Sequence, residues 1–220
     1  MRRISTVLVL AALALALPTL AAAQNDDIDK INGSVQVEAG QKVGNVSTVN
    51  GAVRISDGAS LRKASTVNGS VELGDKTQAS EVSSVNGSIT LGGTSHVSGE
   101  VTAVNGALHL APGADVGGKL GNVNGTIVLD AAHVGGGINT VAGDVTVGAN
   151  SRVEGGILVD KPSGWFNWSS SRAPVIVIGP HAVVQGTLEF RRDVVLKVSD
   201  SAQIGPVKGA TPVKFSGAMP

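Results

Sequence analysis

Cysteine and tyrosine are absent from this 220-residue chain, and its aromatic residues are five: Trp165, Phe166, Trp168, Phe190 and Phe215. Without cysteine there can be no disulfide, thiolate zinc centre, iron–sulfur cluster, cysteine nucleophile or lipoprotein-type anchor. The scarcity of rings argues against an outer-membrane barrel, which carries aromatic girdles at both interfaces. An excess of one charge is also lacking: 17 Lys and Arg balance 17 Asp and Glu, so no basic surplus points to nucleic acid. The apolar run Val7–Leu17 holds eleven residues, short of the about 20 that span a bilayer as a helix.

That run reads as the centre of a secretory signal over residues 1–23. Arg2 and Arg3 precede it, and Pro18 and Ala21-Ala22-Ala23 follow it before Gln24. Its removal leaves 15 basic against 17 acidic residues, a formal charge of −2. The expectation is an exported chain, periplasmic or secreted to the cell surface, with no transmembrane segment once mature.

What the chain has in abundance is glycine, 30 residues of it, and a repeat. Asn-Gly recurs at Asn32, Asn50, Asn68, Asn86, Asn105 and Asn124, with Ala142-Gly143 in the seventh place, at steps of 18 or 19. An aliphatic residue stands before each: Ile31, Val49, Val67, Val85, Val104, Val123, Val141. Three residues after each Asn comes another, Val35 to Val145, and two further on a third, Val37 to Val147, with a mostly polar residue between. Alternation of this kind marks a strand with one buried face. A further apolar position follows at Val43, Leu61, Ala79, Val97, Val116, Val134 and Val153, so each unit offers about three short strands separated by corners.

Constant phase from unit to unit predicts stacking of equivalent residues. The expected fold is all-β: a single parallel β-helix, or solenoid, of about nine rungs with about 18 residues each, forming a rod on the order of 40 Å long. An antiparallel meander is the competing fold, since Asn-Gly is a strong hairpin signal; it needs two good turns per period, and one is constant here. In the stacked fold the Asn amides bond along a column and Gly takes positive φ at the corner, a structural ladder. The regular coil is expected over 24–160, a loop carrying the aromatic cluster over 161–174, and irregular rungs with a cap of the same solenoid over 175–220.

Units such as Ser65-Thr-Val-Asn-Gly-Ser-Val-Glu-Leu73 resemble the repeats of bacterial adhesin-like β-solenoid proteins. Ile178-Gly-Pro-His-Ala-Val-Val-Gln-Gly-Thr-Leu188 resembles a rung of the bactofilins, polymer-forming cytoskeletal β-helix proteins. The resemblance implies a right-handed coil and, on the bactofilin side, end-to-end assembly; the export signal departs from a cytoskeletal role. Neither family supplies catalytic residues.

The chemistry on offer is sparse. Gln78, His96, Asp115, His133 and Arg152 share one phase of successive units, so the two His and the Asp should stack as an outward polar ladder. Imidazoles two rungs apart, about 10 Å, do not close on one metal ion with bonds near 2 Å, and no stoichiometric zinc is expected. Asp57, Asp75, Asp130 and Asp144 stand singly, unlike the clustered acids of a β-helix lyase. Hexapeptide acyltransferases share the coil length but use acyl-CoA, which an exported chain does not meet. Gly135-Gly-Gly137 lacks the Lys and helix of a phosphate loop. Trp165, Phe166 and Trp168 form the remaining feature: a loop that either covers the solenoid or contacts a partner or glycan. The sequence therefore predicts no cofactor and no enzyme. It predicts an exported scaffold or adhesin-like interaction module of the bacterial envelope that self-associates through its rung ends or contacts an envelope component. The second reading is a carbohydrate-binding or carbohydrate-active β-helix with its site near Trp165.

Overall fold

The computed structural model describes residues 26–162 and 172–218. The expected signal segment 1–23 and the cluster Trp165, Phe166 and Trp168 lie outside them. The described chain is all-β, a parallel solenoid of 27 short strands stacked into three sheets. Face A and face B hold ten strands each and face C seven. The chain thus climbs about nine full turns. Pairing is parallel throughout, in contrast to the antiparallel order of a meander.

One turn shows why the period works. Asn45–Asn50 lies in face A and Val53–Ile55 in face B, and Leu61 follows on face C. The Asn-Gly corner joins A to B, so the Asn of every regular turn falls at one edge of the rod. Val46 pairs with Ala64, 18 residues on, and Val82 with Val101, 19 on. Ile157 pairs with Leu188, 31 on. The additional chain leaves between Ile157–Val159 of face A and Val175–Ile178 of face B, the corner where earlier turns have Asn-Gly. Seven more strands, a little over two turns, then continue the same sheets to Val213–Phe215.

The core is a column of aliphatics: Val37, Ile55, Leu73, Leu91, Leu110, Leu129 and Val147 stack from face B, with Val97, Val116, Val134 and Val153 from face C. Each inward side chain removes apolar surface from water at about 25 cal/mol per Å². Phe190, near the end of the rod, is the large ring admitted to this core. No helix among the described residues is long and apolar enough to cross a membrane.

Face A inverts the hydrophobic pattern. In Ser-Thr-Val-Asn the polar Thr points inward and the apolar Val outward: Thr48 and Thr66 are buried, as is Ser84, while Val49, Val67 and Val85 are exposed. The reason is a backbone acceptor. Thr48 Oγ1 donates to Gly33 O at 3.0 Å, Thr66 Oγ1 to Gly51 O at 2.9 Å and Ser84 Oγ to Gly69 O at 3.2 Å. Each hydroxyl thus satisfies the corner carbonyl of the preceding turn, which an aliphatic side chain would leave unpaired in the interior. Further along, Asn122 Nδ2 serves Gly125 O at 2.8 Å and Thr140 Oγ1 donates to Asn122 Oδ1 at 2.7 Å.

The corner glycines have a different cause from the expected one. Gly33 and Gly125 have φ of +103° and +118°, but positive φ is not common to the whole column. What the column shares is close approach: a Cβ on Gly51, Gly69, Gly87, Gly106, Gly125 or Gly143 would sit 1.8–2.3 Å from the carbonyl oxygen of the glycine one turn before. The rungs stack too tightly there for a side chain.

Candidate functional site

Three side-chain columns on this frame carry the chemistry singled out from the sequence. The first is the Asn ladder. Asn50 Nδ2 donates to Asn32 Oδ1, Asn68 to Asn50, Asn86 to Asn68, Asn105 to Asn86 and Asn124 to Asn105, at 3.0–3.1 Å each. Each interior amide therefore gives one bond and accepts one along the rod. The ladder is exposed, and its remaining N–H and lone pairs face solvent.

The second column lies on face C, where His96 pairs in register with Asp115 and Asp115 with His133. The geometry is a clasp. His96 Nδ1–H donates to Asp115 Oδ2 at 2.6 Å and His133 Nδ1–H to Oδ1 at 2.5 Å, so one carboxylate accepts a hydrogen bond from the turn on either side. His133 Nε2 lies 3.5 Å from Glu154. Partial burial pushes the Asp115 carboxyl up, but the hydrogen bonds from His133 and His96 outweigh it and hold the group below the ordinary carboxylate range. Among the described residues no group of three or more His, Cys, Asp or Glu is placed to hold a metal ion.

This clasp gives a pH prediction. Because the folded pKa of Asp115 lies below its unfolded value, the ionised group adds stability above the unfolded value of about 3.9. That increment is lost as pH falls through the folded value. Asp115→Asn is expected to cost about 1 kcal/mol near neutral pH, the pair being screened by solvent. Parent and variant should converge once the pH is below the depressed folded value of Asp115. Urea midpoints at the two pH values check this; an equal gap at both would show that the contacts do not depend on the ionised carboxylate.

The third group is the A-to-B corner beyond the ladder. Asp144 accepts from Arg172 Nη2 at 2.6 Å and from the Val175 amide at 2.8 Å, tying down the chain where it re-enters face B. Arg191 reaches Glu189 at 2.7 Å and Asp160 at 3.5 Å, and the Glu189 contact raises its pKa further. Arg192 Nη1 donates to Val141 O at 3.0 Å. Two of the single aspartates are structural: Asp57 Oδ1 accepts from the Asp75 amide and Asp75 Oδ1 from the Gly93 amide, one turn apart each time.

Two features are not legible from residue type. One is the outward valine column, whose letters read as core. The other is the treatment of the first and last described rungs. Lys30 pairs with buried Thr48, and Lys214 with buried Val198, so each terminal rung sets an exposed lysine at a register position that faces the core elsewhere. Lys30 Nζ donates to Ser34 O at 3.0 Å. Pro206 and Pro212 flank the last strands of faces A and B. Charges at inward positions and prolines are devices that stop strand edges from pairing with another chain. The signal for both lies in the sequence as a break of the inward Thr/Ser and aliphatic columns. No family model, no curated protein and no solved structure was found to match this chain.

Proposed function

We propose that the protein is a non-enzymatic, exported β-solenoid that serves as a rigid display scaffold or adhesin-like interaction module of the bacterial envelope. The observation that carries this reading is the bonding of polar side chains along the rod. The Asn amides, the inward hydroxyls, Asp57, Asp75 and the His96–Asp115–His133 clasp are each spent on holding one turn to the next. Such a use of polar groups makes a stiff rod with regular faces, and fits contact chemistry better than turnover. The likeness of the repeats to adhesin-like solenoids belongs to the same reading. The likeness to bactofilins fits less well, because Lys30 and Lys214 work against end-to-end stacking.

The test joins location to substitution. The protein is expected in the exported fraction, with its association with envelope material unchanged when His96, Asp115 and His133 are all replaced by Ala. An enzymatic activity lost in that variant would overturn the scaffold reading. A glycan panel on the parent and Trp165→Ala separates the carbohydrate-binding alternative: binding lost with the indole would favour that alternative.

A further inference from the structure

Of the eight large hydrophobic side chains exposed among the described residues, six form one column on face A: Ile31 at 73% and Val49, Val67, Val85, Val104 and Val123 at 39–40%. They follow one another strand by strand, so the stripe is continuous. Beside it run the small outward residues Ser47, Ser65, Ser83 and Thr102 on one side and the Asn ladder on the other. A chain that sets lysines against its rung ends leaves this side face unguarded. Faces B and C contrast with it, showing Arg54, Glu72 and His109, and His96, Asp115 and Arg152, along their outward columns.

We infer that the valine stripe of face A is a self-association surface, on which a second copy lies antiparallel, related by a two-fold axis passing between the Val67 and Val85 strands. The repeat comes first. A partner that matches the stripe residue for residue repeats at its rise of about 4.8 Å, and a stacked parallel sheet does so. A two-fold interface also lets one surface serve both partners. With the axis placed there, Val67 faces Val85 of the second copy, Val49 faces Val104, and Ile31 faces Val123. All six aliphatics are covered.

Charge fixes the direction and register. One column further out on the same face stand Asp27, Asn45, Lys63, Glu81, Glu100 and Lys119, in that order along the rod. An antiparallel pair about the stated axis sets Lys63 against Glu81 and Asp27 against Lys119, with Asn45 opposite Glu100. Each contact between full charges joins opposite signs. Lys63 Nζ already meets Glu81 at 2.7 Å within one chain, so the axis gathers two such pairs into a cluster of alternating sign. Slipping one copy by a single rung sets Lys63 on Lys63 or Glu81 on Glu81 instead, depending on the direction of the slip. Rim charges of this kind select register and orientation more than they add affinity.

Area sets the strength. Six strands by about five residues give a face of roughly 29 Å by 16 Å, so a pair buries on the order of 1,000 Å². That is the lower bound for specific association and well below obligate dimers.

Sedimentation equilibrium over a concentration series tests the inference. The purified protein should pass from monomer to dimer, and Val85→Glu should weaken the dimer at least tenfold with an unchanged circular dichroism spectrum, since Val85 points away from the core. Lys63→Glu should weaken it too, and Lys63→Glu combined with Glu81→Lys should restore it. A protein that stays monomeric at hundreds of micromolar, a Val85→Glu variant as dimeric as the parent, or a charge swap that fails to restore pairing would overturn the proposal.

Discussion

Gly87→Ala is expected to lose about 3 kcal/mol or more of stability, at the severe end for a single added methyl. A Cβ there would lie 1.8 Å from Gly69 O and 2.4 Å from Gly69 C, and both atoms are backbone. Nothing at that point can turn aside as a side chain could. To make room the corner must move outward, and Gly69 N–H donates to Asn86 O at 3.0 Å while Gly87 N–H donates to Asn105 O at 2.9 Å. Relief of the clash therefore strains the bonds to both neighbouring turns. Gly58→Ala is the control. Gly58 has φ of +68°, and a Cβ at that position would meet nothing within 4 Å. Its cost is therefore the left-handed penalty alone, about 1 kcal/mol. Urea unfolding of the two variants separates them. Equal losses would mean that the column is kept for its backbone angles and not for the stacking distance.

The rung count, the parallel stacking and the phase of every column are legible in the sequence, because a fixed period forces equivalent residues onto one line. Counting alone sets His96, Asp115 and His133 on one column. It does not yield the clasp, since the step from a shared column to two Nδ1–H donors on one carboxylate depends on side-chain torsions that periodicity does not encode. The inside-out order of Ser-Thr-Val-Asn is hidden for another reason. Residue type says that Val is core and Thr is surface, and over most of the rod that holds. At the last inward position before the corner a different demand wins in three turns, that of the corner glycine carbonyl for a donor, while Ala103 fills the position in another. Thr48, Thr66 and Ser84 meet it, and the valines that follow are turned outward as a consequence of strand alternation. The lysines of the end rungs are visible as letters. Their inward register becomes visible only with Lys30 beside Thr48 and Lys214 beside Val198.

Leu110→Ala and Val104→Ala should therefore differ strongly, although both remove aliphatic carbon from the same turn of the rod. Leu110 is fully buried and stacks between Leu91 and Leu129, with which it is in register. Its truncation is expected to cost about 2–5 kcal/mol, the lost transfer energy together with the cavity left behind. The upper part of that range is expected, because in a solenoid each rung touches only its neighbours. Closing the void would require Leu91 and Leu129 to approach along an axis whose spacing is set by the inter-strand hydrogen bonds of three sheets. Val104, six residues earlier, lies on the outward stripe, and its truncation should change monomer stability by no more than about 0.5 kcal/mol. Thermal or urea unfolding at concentrations low enough to keep the chain monomeric measures both. A large loss for Val104→Ala would place that side chain in the core and undo the inversion of face A; a small loss for Leu110→Ala would show that the rungs can collapse on a void, and that the rod is softer than its ladders imply.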